Sequence, residues 1–161
     1  MAVKVGDQIP DIEVRTLGES GMPEAVRTGD VLGKGKVVLF AVPGAFTPGC
    51  SKLHMPGFVA DADSVKAKGV DKIVCISIND AWVMDAWGKD QGVGDKVTLL
   101  ADGNGDFAEA MGLVFDGGGF GLGKRSQRYA AIIENGVITN LDVEAGGGVD
   151  VSSCSAVLGR L

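Results

Sequence analysis

The most informative segment of the chain is an apolar run followed by a Pro/Gly loop and a cysteine, KVVLFAVPGAFTPGC at residues 36–50. The consecutive apolar residues at 37–42 predict a buried strand. Thr47 suits the N-cap of a following helix and Pro48 suits its first helical position, so Cys50 would lie in the first turn. The stretch therefore predicts a strand-to-helix junction with a thiol at the start of the helix.

The predicted position of Cys50 favours a reactive thiol over a core residue. A helix N-terminus offers unpaired N–H donors and the positive end of the helix dipole, and both stabilise a thiolate. A structural cysteine would more often lie inside the strand than after a Pro/Gly loop. We therefore take Cys50 as the candidate nucleophile.

Strands and helices alternate outward from this junction. The patterns predict strands at 11–16, 36–42, 72–78, 97–100, 128–134 and 137–143, and helices after Cys50, after Asp80, at 107–111 and at 152–161, with a loop at 17–35. Pro56-Gly57 should kink the first of these helices. The first two buried strands should be parallel, and Asn135-Gly136 is a hairpin signal. The order predicts one α/β domain (1–161) with a thioredoxin-like fold, a central mixed β-sheet flanked by helices.

Composition excludes several function classes. The 161 residues are 45% hydrophobic, which is enough for a packed core. The formal net charge of −6 argues against nucleic acid or an anionic membrane as the main partner, because both need a basic surface. No apolar run approaches the length of about 20 residues that a membrane span needs. The glycine cluster at 117–123 predicts a flexible loop, since no strong strand precedes it as in a dinucleotide-binding motif.

The few cysteines and the single histidine indicate whether a metal site is expected and in which kind of cellular compartment the protein lies. His54 is the only histidine, and the three cysteines form no CxxC pair, so we expect no metal and no other cofactor. A small, odd number of cysteines favours a reducing compartment. The N-terminus has no signal-peptide or transit-peptide pattern, so we expect a cytoplasmic protein. An organellar form after removal of a transit peptide is the alternative.

The residues around Cys50 resemble a known family. Residues 43–50, PGAFTPGC, fit the Pro-x-x-x-Thr-x-x-Cys motif of peroxiredoxins, and the run to residue 58, SKLHMPGF, is similar to the type II, or peroxiredoxin-5, subfamily. Further matches are VGD (5–7), CISIND (75–80) with Trp87, LLAD (99–102) and SQRYA (126–130). The resemblance covers nearly the whole chain. It implies a peroxidase that reduces hydrogen peroxide and organic (alkyl) hydroperoxides.

The resemblance also assigns roles to residues of this chain. Cys50 would attack the peroxide and become a sulfenic acid, and Arg128 would stabilise its thiolate and the leaving oxygen. Thr47 would orient the peroxide through its hydroxyl, and Pro43 would shape the pocket and shield the sulfenate from water. The backbone N–H groups of Gly49 and Cys50 would bind a peroxide oxygen.

Arg125 and His54 are two further polar residues close in sequence to the predicted site residues. Arg125 lies three positions before Arg128, and residues three apart in a strand point to opposite faces, so only one can face the thiol. The motif favours Arg128, and we expect Arg125 to be a solvated surface charge. His54 follows Cys50 by four residues and could share its helix face, so we expect a structural or partner-facing role.

The route by which the sulfenate is reduced stays open at this point. Cys75 is either a small buried hydrophobe or a resolving cysteine, which plant-like type II members carry at the matching place. Cys154 lies in the C-terminal region where animal members carry one. The third route uses an external thiol, glutathione with glutaredoxin or thioredoxin, and we favour it.

Members of the family often form dimers, so we expect a homodimer. Phe46, Trp82 and Phe120 would give an aromatic contact patch near the catalytic loop, or else belong to an ordinary core. A thiol–disulfide oxidoreductase is an alternative function, but it predicts a CxxC pair. A redox sensor or chaperone-like binding protein is another, although it would not need Thr47 and Arg128.

Overall fold

The computed structural model describes all 161 residues and has a seven-stranded mixed β-sheet at its centre. In chain order its strands are β1 (Glu13–Leu17), β2 (Pro23–Arg27), β3 (Lys36–Ala41), β4 (Lys72–Ser77), β5 (Thr98–Ala101), β8 (Tyr129–Glu134) and β9 (Val137–Val143), while β6 (Val114–Asp116) and β7 (Lys124–Ser126) form a separate hairpin. Across the large sheet the order is β2-β1-β5-β4-β3-β8-β9. The apolar strands β3 and β4 lie in the middle because each is buried on both faces.

The pairing of β3 places the reactive loop. This strand is parallel to β4 and antiparallel to β8, with Ala41 opposite Tyr129. The predicted parallel pair is therefore confirmed. The predicted hairpin is confirmed as well, since Asn135 and Gly136 have φ values of 49° and 83°, the left-handed conformations that a two-residue turn needs. Because β8 begins where β3 ends, the residue before Tyr129 lies beside the loop that follows β3.

Helices cover both faces of the sheet, which confirms the predicted mixed sheet flanked by helices. They are α1 (Thr28–Leu32), α2 (Met55–Ala60), α3 (Ala62–Ala67), α4 (Ala81–Gln91), α5 (Asp106–Met111) and α6 (Cys154–Arg160). Buried residues of α2, α3, α4 and α6 pack on the face that carries Phe40, and those of α1 and α5 pack on the face that carries Leu39. None of these helices is both long and apolar enough to cross a membrane.

The helix that carries Cys50 is irregular. The chain is helical over 48–60, but Cys50–His54 form a wider π-helical turn before α2 begins. Pro56 in the first turn of α2 has no N–H to donate, and its ring crowds the carbonyl four residues earlier. The distortion predicted at Pro56-Gly57 therefore takes the form of the π-helical turn at Cys50–His54, just before these residues. A separate break follows at Asp61, between α2 and α3.

Two sequence-based assignments were wrong. Residues 17–35, predicted as a loop, contain β2 and α1. The edge strand β2 is mostly exposed, so its sequence shows no apolar pattern. Its antiparallel pairing with β1 is what makes this segment a strand. The second omission is the β6–β7 hairpin. The glycine cluster at 117–123 is its turn, closed by Gly117 N–H donating to Gly123 O at 2.7 Å.

Candidate active site

Cys50 is fully buried at the start of the helix that follows β3. The helix begins at residue 48, and the carbonyl of Thr47 accepts from Ser51 N–H at 2.9 Å, so Thr47 occupies the predicted N-cap position. Its hydroxyl, however, does not cap the helix but donates to Gly44 O at 2.7 Å. The predicted side-chain cap was therefore wrong. The physical reason is the tight loop, which turns back through Phe46 at a φ of 65° and brings Gly44 within reach.

Arg128 contacts the thiol directly. Its Nη2 donates to Cys50 Sγ at 3.2 Å, and the side chain is buried, with 6% of its surface exposed. All six ion pairs of the protein involve other residues, so no carboxylate neutralises this guanidinium. Its positive charge is therefore available to the sulfur, which is the arrangement that stabilises a thiolate.

Gly49 leaves the space that this contact needs. A Cβ at position 49 would lie 3.1 Å from Arg128 Nη2, closer than ordinary van der Waals contact. The φ of Gly49 is −64°, so its backbone conformation does not require glycine. The close approach of the guanidinium accounts for the missing side chain.

His54 lies on the same side of the helix as Cys50 and also contacts the arginine. Its Nδ1 is 3.0 Å from Arg128 Nη1, and its Nε2 is 2.8 Å from Ser152 O. Burial, more than any other factor, lowers the pKa of His54 to about 4; the Arg128 charge acts in the same direction, and the hydrogen bond to Ser152 O and the Glu144 charge oppose it. The imidazole is therefore neutral near pH 7. The sequence located His54 beside Cys50 but contained no signal for its contact with Arg128.

One N–H of the guanidinium has no partner in the protein. Arg128 Nε is the one buried side-chain polar atom without a hydrogen-bond partner. Pro43 and Arg128 also line a cavity of about 460 Å³, together with Val114, Phe115 and Phe120. Arg128 therefore lies beside a space that a small molecule can enter.

Arg125 does not behave as the expected surface charge. The side chain is half-buried, with Nη1 donating to Ile78 O and Nε to Leu122 O, both at 3.0 Å. It joins the β6–β7 hairpin to the end of β4 and makes no hydrogen bond to Cys50. The prediction that Arg128 and not Arg125 faces the thiol is consistent with this arrangement.

The other two cysteines are buried, and none of the three forms a disulfide. Cys75 lies in β4 opposite Phe40, and burial raises its pKa well above the ordinary thiol value. Cys154 begins α6, and burial together with the charge of Asp61 raises its pKa to about 12. All three thiols belong to the same apolar layer on one face of the sheet. Neither Cys75 nor Cys154 is hydrogen-bonded to Cys50.

The three aromatic residues proposed for a contact patch are exposed. Phe46, Trp82 and Phe120 expose 52%, 49% and 81% of their surface, which excludes the alternative that they form an ordinary core. The indole N–H of Trp82 donates to Gly21 O at 2.8 Å.

Known proteins resemble this chain over nearly its whole length. The family model described as Redoxin matches residues 4–158. Peroxiredoxin-2E, chloroplastic, of Arabidopsis thaliana is 45% identical over 163 residues, covering 99% of this chain and 70% of the relative. Peroxiredoxin-2C of the same plant is 42% identical over 159 residues, covering 99% and 98%. The crystal structure of reduced Prx3 from Vibrio vulnificus in complex with H₂O₂ has a TM-score of 0.93 and 46% identity, covering 98% of each chain.

These matches extend over nearly the whole chain and agree in both sequence and fold. The structural match also confirms the predicted thioredoxin-like fold class. The chain belongs to the redoxin family and, within it, to the type II peroxiredoxins, which are thiol-dependent peroxidases.

Proposed function

We propose that this peroxidase reduces hydrogen peroxide and alkyl hydroperoxides through Cys50, with Arg128 and Thr47 as its other catalytic residues. The observation that carries the proposal is the 3.2 Å contact between Arg128 Nη2 and Cys50 Sγ, made by a buried guanidinium that no carboxylate neutralises. Such a cation stabilises both the attacking thiolate and the negative charge that develops on the leaving oxygen.

In the chemical step, the Cys50 thiolate attacks one peroxide oxygen. An S–O bond forms, the O–O bond breaks, and the second oxygen leaves as hydroxide or alkoxide, which takes up a proton to become water or an alcohol. The unpartnered Nε–H of Arg128 supports this assignment, because a buried donor beside the thiol can pair with a peroxide oxygen. The backbone N–H groups of Gly49 and Cys50, at the start of the helix, provide further donors in this proposal.

Thr47 orients the peroxide in this proposal. Its hydroxyl proton is already donated to Gly44 O, so the oxygen presents lone pairs to the site. Thr47 therefore accepts from the O–H group of the peroxide and holds that oxygen for attack by Cys50, which keeps the proton on the sulfenic acid. Pro43, in the wall of the adjacent cavity, limits the access of water to the sulfenate.

An external thiol then reduces the sulfenic acid. The incoming thiol forms an S–S bond with Cys50 and releases water, and a second thiol reduces the mixed disulfide. We favour glutathione with glutaredoxin, or thioredoxin, over a resolving cysteine. Cys75 is fixed in the centre of β4 and Cys154 is buried at the start of α6. For either to meet Cys50, part of the helix at 48–60 would have to unfold.

The test is peroxide consumption by Cys50→Ser, Cys75→Ser and Cys154→Ser, first with dithiothreitol and then with glutaredoxin plus glutathione or with thioredoxin. Cys50→Ser should lose turnover with every reductant, and the other two should retain it with dithiothreitol. Turnover by Cys50→Ser would overturn the proposal. Loss in Cys75→Ser or Cys154→Ser with only the protein reductants would assign that residue as resolving.

The same assay separates the alternative function of a redox sensor. A sensor would form the Cys50 sulfenic acid without turnover in the presence of any reductant.

We further propose one domain over residues 1–161, a cytoplasmic location and a homodimer. The exposed Phe46, Trp82 and Phe120 support the homodimer, and sedimentation of the wild type and of Phe46→Ser tests it.

A further inference from the structure

A closed ring of hydrogen bonds connects the side chain of Arg128 to its own backbone through the C-terminal loop. Glu144 N–H donates to Arg128 O at 2.9 Å, and the Glu144 carboxylate accepts from Ser152 N–H at 2.8 Å and from its hydroxyl at 2.5 Å. Ser152 O and His54 Nε2 lie 2.8 Å apart, and His54 Nδ1 and Arg128 Nη1 lie 3.0 Å apart. Three residues, Glu144, Ser152 and His54, therefore connect the backbone of Arg128 to its guanidinium.

The two partners of His54 determine its protonation. A backbone carbonyl can only accept, so Nε2 carries the proton that it donates to Ser152 O. A guanidinium can only donate, so Nδ1 is the acceptor of the Arg128 proton. The imidazole is therefore a neutral ring with its proton on Nε2, and a second proton on Nδ1 would face the cation.

The ring of His54 has no freedom to turn. His54 and Ser152 are fully buried, and the imidazole packs against Phe40 and Phe58 with ring centroids 4.8 and 5.7 Å away. The guanidinium is planar and rigid, so the direction of Nη1 also sets the direction of Nη2 towards Cys50. The position of His54 therefore controls the contact with the sulfur.

Glu144 determines where the acceptor of His54 lies. Its carboxylate also accepts from Asp150 N–H at 2.8 Å, so it closes the loop that presents the Ser152 carbonyl. Asp142, two residues earlier at the end of β9, instead pairs with Arg160 at the surface. The two neighbouring carboxylates thus provide a test residue and a matched control.

We propose that His54 is a positioning residue for Arg128, and that Glu144, acting through Ser152, is a positioning residue for His54. This proposal rests on the proposed role of Arg128 in peroxide reduction at Cys50. Neither His54 nor Glu144 is hydrogen-bonded to the thiol, and in this proposal both act through the orientation of the guanidinium.

The first test does not depend on activity. His54 is the only histidine, so its ¹⁵N resonances are unambiguous. The wild type should show a neutral imidazole with the proton on Nε2 at pH 6, and Glu144→Ala should weaken this preference. A proton on Nδ1, or an imidazolium at pH 6, would overturn the proposal.

The second test compares two replacements of His54. In His54→Asn the side-chain oxygen stands near the position of Nδ1 and can accept from Arg128. In His54→Gln the amide N–H stands near Nε2 and can donate to Ser152 O, but the acceptor for Arg128 is lost. The rate constant with hydrogen peroxide should fall by about a hundredfold in His54→Gln and by clearly less in His54→Asn, since small misplacements have effects of this size.

Melting temperatures and the pH profile of Cys50 alkylation are measured on the same samples. A positioning role predicts that the alkylation midpoint rises in His54→Gln and less so in His54→Asn.

Glu144→Ala should lower the peroxide rate about tenfold, whereas Asp142→Ala should leave it unchanged. Equal rates in the two His54 variants, or no loss in Glu144→Ala, would overturn the positioning role. If the proposed function failed instead, Cys50→Ser would retain turnover.

Discussion

Arg128 Nη2 lies 3.2 Å from Cys50 Sγ although the two residues are 78 positions apart in the chain. The contact follows from the sheet, because Ala41 at the end of β3 pairs with Tyr129 at the start of β8. The loop after β3 and the residue before β8 therefore meet at one edge of the fold. Gly49 permits the final approach, since any side chain there would contact the guanidinium.

Removal of the guanidinium should slow the reaction with peroxide. We expect Arg128→Gln to lower the second-order rate constant by about a hundredfold to a thousandfold, the range for loss of one preorganised donor to a developing oxyanion. Stopped-flow measurement with hydrogen peroxide checks this. Arg160→Gln removes an exposed arginine that pairs with Asp142, and it should react like the wild type. Equal rates for the two variants would contradict the role of Arg128.

A methyl group at position 49 should impair activity without a loss of stability. The Cβ of Gly49→Ala would lie 3.1 Å from Arg128 Nη2, so the guanidinium has to move, and we expect a rate loss of about tenfold or more. Alanine is favoured over glycine in helices, so the melting temperature should not fall through helix propensity.

Gly57→Ala is the matched control for this change. A Cβ there would lie 3.6 Å from Cys154 Cβ, an ordinary contact, in the same helical segment. Its peroxide rate should equal that of the wild type. A comparable loss in both variants would indicate a general effect of alanine on the helix rather than displacement of Arg128.

The hydroxyl of Thr47 should be needed, but not its methyl group. Thr47→Val removes the bond to Gly44 O and the acceptor for the peroxide, and we expect a loss of about a hundredfold in the peroxide rate. Thr47→Ser keeps the hydroxyl and should retain most of the rate. The comparison is made by stopped-flow kinetics on samples with matched melting temperatures, and equal losses in both variants would refute the orienting role.

Stability should fall in acid partly through His54. Its pKa is about 4 in the folded protein against an ordinary value of 6.5, so the unfolded chain binds the proton more readily. The neutral ring therefore contributes about 3 kcal/mol to the free energy of unfolding. This contribution is fully present above pH 6.5 and is lost as the pH falls through 4. The charged groups that face it are Arg128 and Glu144.

Urea unfolding between pH 7 and pH 4 checks this dependence. His54→Gln cannot take up the proton, so its free energy of unfolding should decline less steeply over this interval than that of the wild type. Parallel declines would show that other groups, such as Glu144, carry the acid sensitivity.

Local chemistry explains which features were predictable. Asp80 accepts from Val83 N–H at 2.8 Å and Ser153 Oγ from Ala156 N–H at 3.1 Å, and both are side-chain caps of the kind that Asp and Ser commonly form at a helix start. The hydroxyl of Thr47 has the same propensity but bonds to Gly44 O, because the conformation of the preceding loop offers a nearer acceptor. Propensity thus predicted the position of the cap residue and not the partner of its side chain.

Local sequence patterns were enough to predict the buried strand at 37–42, the thiol at the start of a helix and the hairpin at Asn135-Gly136, since each depends on neighbouring residues. The partners of His54 depend on the folded chain, because they lie 74 and 98 positions away at Arg128 and Ser152. The same holds for β2, which is a strand through its register with β1. Contacts at such separations depend on strand order and on how the loops close, and no local pattern encodes either.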